Sequence, residues 1–339
     1  MFQVKSKVRI ILFIIALIAV FLFFSYQMPY YIHKPGHADP LNPVVEVKGG
    51  FESEGDMHLV TIQGGKATPF QYILALVKDY YDILPVEEVL QEGMTDSEYR
   101  QLQLMMMESS QESSKVVAYK AANKEIEIEY NGVYVVSVVK DMPAEGILQP
   151  EDEITKIDGK TIKEANDLID YVSGKQVGDK ILVTIQRQEE TFEKEITLKA
   201  LEQLDGKPGI GISLVTNRDV NVSPELQFSS GEIGGPSAGL MFSLEIYDQL
   251  TEEDLTKGLQ IAGTGEIDYE GNVGRIGGID KKVVAADRAG CAIFFAPNEN
   301  GREGSNYELA KKVAEEINTE MKIVPVDHFE DAVAYLESL

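Results

Sequence analysis

The hydrophobic pattern is most extreme near the start of the chain. Ile10 to Phe24 are fifteen consecutive apolar residues, and Val8 to Met28 is a nearly apolar stretch of twenty-one. That length suits one membrane crossing, with Arg9 able to snorkel. Tyr26, Tyr30 and Tyr31 fall where an interfacial aromatic belt would lie. A cleaved signal peptide is the competing reading, but Ser25-Tyr26-Gln27 is a poor cleavage site. The pattern therefore predicts an uncleaved anchor. Lys5, Lys7 and Arg9 precede it, which predicts a cytoplasmic N-terminus and an outside location for everything after residue 30.

Beyond the anchor, residues 31–43 bear Pro, Gly and His and read as a tether. Residues 44–47 and 58–62 read as strands of a hairpin, punctuated by Gly49, Gly50 and Gly55. Thr68-Pro69 opens a helix whose apolar stripe is Phe70, Ile73, Leu74, Val77 and Tyr81, ended by Pro85. Thr95 and Glu98 form a capping box for a helix to about Lys120. Its Met105, Met106 and Met107 read as core packing. From 126 to 200 the chain changes to short strands: 132–138, 154–157, 161–162, 181–186 and 191–198, with a short helix over 165–172. After Leu204, helices over 237–250, 281–289, 306–321 and 329–339 alternate with strands over 259–264, 292–296 and 323–326. That alternation predicts α/β layers with some parallel pairing.

Composition narrows the function. A chain of 339 residues suggests about two domains, and 44% apolar content is ample for their cores. The formal charge is −25, although no acidic residue precedes Asp39. Such a surface is repelled by phosphate backbones and anionic headgroups, so no nucleic-acid partner is expected. Cys291 is the only cysteine, set beside Ala292, Ile293, Phe294 and Phe295, and reads as a core thiol. None of the four histidines stands in an H-E-x-x-H arrangement. There is no G-x-x-x-x-G-K-[ST] stretch. No metal, no cofactor and no ATP are expected.

Two motifs can carry chemistry. In Gly234-Gly235-Pro236-Ser237-Ala238-Gly239, Ser237 falls at the start of a helix. Free backbone N–H groups and the positive dipole end converge there and can stabilise an oxyanion. Taken alone, this is equally an N-cap serine after a Gly-Pro turn. In Gly277-Gly278-Ile279-Asp280-Lys281-Lys282, Asp280 is the expected N-cap. Lys282 shares its helix face with Ala285, Ala286 and Ala289, whereas Lys281 lies with Val284, Ala285 and Arg288, nearer the solvent. A lysine on a small apolar face loses proton affinity on burial and can then deprotonate a serine. His58 reads as a strand residue and His328 as a helix start, and neither context aims at Ser237.

Residues 126–200 resemble a bacterial PDZ domain through Gly132-Val133-Tyr134-Val135, Pro143-Ala144-Glu145-Gly146 and Asp152 to Gly159. The resemblance implies that Gly132, Val133, Tyr134 and Val135 form a carboxylate loop and an open edge strand for a peptide. The stretches Gly235 to Gly239, Thr264-Gly265-Glu266-Ile267, Gly274 to Lys282 and Ala285 to Gly290 resemble the proteolytic domain of Lon proteases. That family uses a Ser–Lys dyad. Its serine falls on Ser237, its lysine on Lys282 and its threonine on Thr264, with Gly235, Pro236 and Ala238 in support. Gly234 departs from the acidic residue that ATP-dependent members carry three before the serine.

The order of anchor, PDZ and Lon-like domain is similar to the YlbL-like bacterial membrane proteases. The expected fold is an α/β (α+β) Lon-type proteolytic domain with an inserted PDZ-like β-rich domain and one N-terminal transmembrane helix. The corresponding division is 1–7 cytoplasmic tail, 8–28 transmembrane helix, 29–43 linker, 44–125 first part of the Lon-like domain, 126–200 PDZ-like domain and 201–339 Lon-like domain. The expected function is a single-pass, ATP-independent serine endopeptidase of the cell membrane. Its catalytic domain would be extracytoplasmic, its partners protein or peptide substrates, and its assembly a homo-oligomer by family analogy. Two alternatives are a PDZ-centred non-catalytic adaptor and a self-processing protease.

Overall fold

The computed structural model describes residues 2–90, 94–201, 206–229, 231 and 233–339, with side chains from Arg9 onward. Residues 202–205, at the expected passage into the C-terminal unit, lie outside the described residues. The chain opens with helix α1 (Phe2–Ser25), whose apolar side chains are exposed over most of its described length. Among the described residues, no helix is long and apolar enough to cross a membrane.

Residues 29–43, expected as a linker, instead contain strand β1 (Tyr30–Pro40). Tyr31 and Ile32 are buried, and a register shift between Pro35 and Ala38 accommodates the proline and Gly36. Next come β2 (Val45–Val47) and β3 (Asp56–Lys66). They do not form the expected hairpin, because β3 pairs with β1. Helix α2 (Pro69–Ala75) has the expected Thr68 cap but ends well before Pro85. The remaining stretch turns into β4 (Asp82–Pro85), which pairs with β1, and then α3 (Val86–Val89). Helix α4 (Asp96–Ala121) carries the Thr95–Glu98 capping box, with Met107 in the core and Met105 and Met106 half-buried.

The small domain follows: β5 (Glu125–Val138), β6 (Glu153–Ile157), β7 (Lys160–Thr161), α5 (Ala165–Ser173), β8 (Lys180–Arg187), β9 (Glu190–Thr197), β10 (Lys199–Leu201), β11 (Lys207–Gly209) and β12 (Ile212–Ser223). Its main sheet runs β12-β5-β6-β8-β9 over a core that includes Val133, Ile154, Ile157, Leu168 and Ile185. The chain then returns through β13 (Leu226–Phe228), which pairs with β2. Helix α6 (Gly239–Leu250), β14 (Gln260–Gly263), β15 (Glu266–Ile267), β16 (Val273–Gly274), α7 (Ile279–Arg288), β17 (Ile293–Pro297), α8 (Asn306–Glu316), β18 (Lys322–Val326) and α9 (Phe329–Glu337) complete the large domain.

The large sheet has the order β18-β17-β14-β3-β1-β4, parallel from β18 to β3 and antiparallel beyond. Side chains of alternate strand residues feed two cores. Phe295 and Leu59 pack with α4, α6 and α9, while Phe294 and Val60 pack with α7 and α8. The first part of the chain thus completes a sheet built by the last part, and the small domain is set between them. The paired β5 and β12 join the two. Val133, Val135 and Leu214 enter the small core, whereas Ile126 and Val222 pack against the large one.

Candidate active site

The loop before α6 is held from two sides. From α4, Gln103 O accepts from Gly235 N at 2.7 Å, and Ser110 Oγ donates to Pro236 O at 2.9 Å. Ser114 Oγ donates to Gly239 O at 2.9 Å. Gly235 has φ +95°, and a Cβ on Gly234 would come within 2.7 Å of Gln103 Cβ, so the approach of α4 requires the glycine. From the other side, Thr264 Oγ1 and Gly265 N both donate to Ser237 O, at 2.9 and 3.0 Å. Ser237 is thereby pinned two residues ahead of α6, half-buried beside the buried Ala238.

Lys282 reaches the same point from α7. That helix is capped by Gly278 at φ +63°, not by the expected Asp280, which sits in the first turn. Its Nζ lies 2.6 Å from Ser237 Oγ and 2.9 Å from Thr264 Oγ1. Both Lys282 and Thr264 are buried, as are Ala285 and Ala286 on the lysine's face, while Ala289 is exposed. Burial pushes the Lys282 ammonium down to about 7, with the Glu266 carboxylate pulling the other way. Partial desolvation raises the Glu266 carboxyl, opposed by the Lys282 charge, although Glu266 keeps an exposed face.

Lys281 is not on the solvent side. It is 2% exposed, paired with Asp82 of β4 and with Asp280 at 2.9 Å. The helix packs against β1 and β3, so both lysine faces are covered. Ser237 and Lys282 open into a cleft of about 830 Å³, walled by Leu59, Leu104, Met107, Ile233 and Glu266. His33, His37 and Asp39 of β1 also line it. Reading residues 31–43 as a tether hid these three, and the only signal for them was the Tyr31-Ile32 start of a strand. His58 is buried on β3 with its Nδ1 3.3 Å from Asp56 O, and His328 caps α9 beside Glu330. Neither lines the cleft.

The expected peptide edge is not open. Val133 and Tyr134 pair with Thr216 and Val215 of β12 on one side, and with Ile154 and Glu153 of β6 on the other. Val135 pairs with Leu214 and donates to Asp152 O. Gly132, Val133, Tyr134 and Val135 are therefore interior to the sheet, a correction to their reading as an edge strand. The chain supplies its own strand where a peptide would add, and Thr216 of that strand accepts from Ala165 N of α5 at 3.0 Å.

Comparison with known proteins gives the same two units. Residues 107–198 match the family model of the PDZ domain, and residues 219–337 match the Lon protease (S16) C-terminal proteolytic domain. The chain is 34% identical over 97 residues to a Lon protease of Aster yellows witches'-broom phytoplasma, covering 29% of this chain and 11% of the relative. It is 33% identical over 137 residues to the Lon protease of Methanosarcina barkeri, covering 37% and 16%. With the Lon protease of Desulforamulus reducens it shares 25% over 206 residues, covering 57% and 23%. The chain thus spans under a quarter of the length of these relatives. Among solved structures, the PDZ domain of an SdrC-like protein from Listeria monocytogenes is 40% identical, covering 26% of this chain and 93% of that one, with a TM-score of 0.25. The chain therefore contains one unit similar to a PDZ domain and one similar to the C-terminal proteolytic domain of Lon proteases.

Proposed function

We propose that this chain is a membrane-anchored endopeptidase that cleaves unfolded or extended protein segments outside the cytoplasm, with Ser237 as nucleophile and Lys282 as base. The carrying observation is the 2.6 Å approach of a buried Lys282 Nζ to Ser237 Oγ. A lysine lowered to about 7 is substantially neutral near pH 7. Its lone pair takes the hydroxyl proton as Ser237 Oγ bonds to the scissile carbonyl carbon. One amine N–H meanwhile donates to Thr264 Oγ1, whose own O–H donates to Ser237 O. This chain of bonds aims the lone pair at Ser237.

Gly239 N and Leu240 N are committed to Pro236 O and Gly265 O, which among the described residues leaves the N–H groups of Ser237 and Ala238 to hold the oxyanion. The Lys282 ammonium then returns its proton to the leaving amine. The amine activates water against the acyl-Ser237 ester in the second half. The substrates in this reading are segments already extended, which need no ATP-driven unfolding. The exposed apolar run of α1 and the basic residues before it support the anchor and its orientation. Assembly into a homo-oligomer belongs to the same reading.

The filled PDZ edge favours a gating or positioning role for that unit over open docking of substrate tails, since β12 occupies the strand position. The test is cleavage of unstructured peptides by the full chain. Ser237→Ala and Lys282→Ala should each abolish it, and unchanged cleavage in either variant overturns the assignment.

A further inference from the structure

Four large apolar side chains stand in solvent on the same short stretch, α2 and the two residues after it. Phe70 is 42% exposed, Ile73 55%, Leu76 64% and Val77 75%. The opposite side of α2 is anchored, with Ala75 and Tyr72 packed against Ile32, Tyr30 and Ile83. The patch is continuous with α1. The Phe70 ring lies 5.0 Å from that of Phe24 and 6.2 Å from that of Phe23, at the far end of the apolar run.

The passage from α1 to the catalytic domain is also short and tied. Only residues 26–29 separate Ser25 from β1, a span of at most about 18 Å from Ser25 to Tyr30. Within it Tyr26 N donates to Leu22 O, Met28 N to Ala67 O, and Pro29 O accepts from Val86 N. β1 then runs straight into the cleft wall, where His33 is about 10 Å along the strand from Tyr30. An acidic chain gains nothing from anionic headgroups, so contact with a bilayer has to be apolar.

We propose that α2, Leu76 and Val77 form an apolar foot that beds in the bilayer interface beside α1 and fixes the catalytic cleft against the membrane. The substrates it serves are extended segments close to the membrane surface. This rests on α1 being the anchor, and the test separates the two. The chain has no tryptophan, so one introduced residue is the sole tryptophan and can be excited apart from the tyrosines. Full-length Val77→Trp and Phe70→Trp would be placed in vesicles of neutral lipid brominated along the acyl chains, with Phe21→Trp in α1 as the anchor reporter. Val77 is the most exposed of the four, so its replacement leaves folding intact.

Strong quenching and a blue-shifted emission at Val77→Trp and Phe70→Trp, alongside quenching at Phe21→Trp, is the expected result. Quenching at Phe21→Trp alone, with residue 77 open to an aqueous quencher, overturns the foot and keeps the anchor. No quenching at any position overturns both.

Discussion

Thr264 Oγ1 lies 2.9 Å from Lys282 Nζ and donates to Ser237 O at 2.9 Å, so one buried hydroxyl ties the Lys282 amine to the backbone of Ser237. The threonine sits just past β14, whose partners β3 and β17 come from opposite ends of the chain. The sheet therefore fixes the distance between two helices that share no direct covalent link.

Thr264→Val keeps the shape and removes both bonds. Two bonds of this kind, one of them to an amine that becomes charged, are worth about 1.5–3 kcal/mol, so kcat should fall roughly 10- to 100-fold with KM little changed. Steady-state kinetics on one peptide reads both constants. An unaffected kcat would remove Thr264 from the positioning role.

Arg218 of β12 links the small domain to the large one. It donates to Glu112 Oε2 at 3.1 Å and to Ser109 Oγ at 3.2 Å on α4, and lies 3.9 Å over the Tyr269 ring. Burial raises the Glu112 carboxyl to about 7, and Arg218 opposes that rise. Arg218→Ala should cost about 3 kcal/mol at pH 8, where the half-buried Glu112 must either stay ionised without its guanidinium or take up a proton, and less at pH 5, where it is already protonated. Denaturant unfolding at the two pH values measures the difference. An equal loss at both would mean that the charge pair is not the source.

Glu245 of α6 is 1% exposed, with Oε1 bonded to Gln249 and Oε2 without a hydrogen-bond partner among the described residues. Burial raises it from 4.5 to about 8. Between those values the unfolded chain releases this proton and the folded chain keeps it, so its contribution to stability falls as pH rises and levels off above about 8. Glu245→Gln should raise the melting temperature most at pH 8 and least at pH 4.5. A shift independent of pH would contradict a buried neutral carboxyl.

The interior position of β5 sets an expectation for amide exchange. Val133 and Val135 should exchange as slowly as the core of the small domain, because both neighbouring strands are in place. Fast exchange at residues 132–135 would mean that β12 leaves the groove readily. Strong protection would leave β12 displacement as the requirement for any peptide to add there.

Elements with local signals were legible in the sequence. The Thr68-Pro69 start, the capping box at Thr95 and the Gly-Pro-Ser and Gly-Gly motifs mark helix starts through nearest-neighbour chemistry, and the helices follow close behind. The spacing of Lys282 with Ala285 and Ala286 put it on a buried face because helix periodicity is short-range. What the pattern missed depends on distant pairing. β1 looks like a tether because Pro35 and Gly36 interrupt it, and only its partners β3 and β4 make it a strand. Lys281 looks exposed until Asp82 arrives from 199 residues earlier to neutralise it. The same holds for Val133 and Tyr134, whose second partner strand lies some 80 residues further on.

The most direct measurement is the pH dependence of peptide cleavage by the full chain, wild type beside Lys282→Ala. A neutral Lys282 base predicts activity that rises through an apparent pKa near 7 in the wild type and disappears in the variant. Activity that rises only toward about 10.4, the range of a free lysine, or a variant that keeps the wild-type profile, would contradict it.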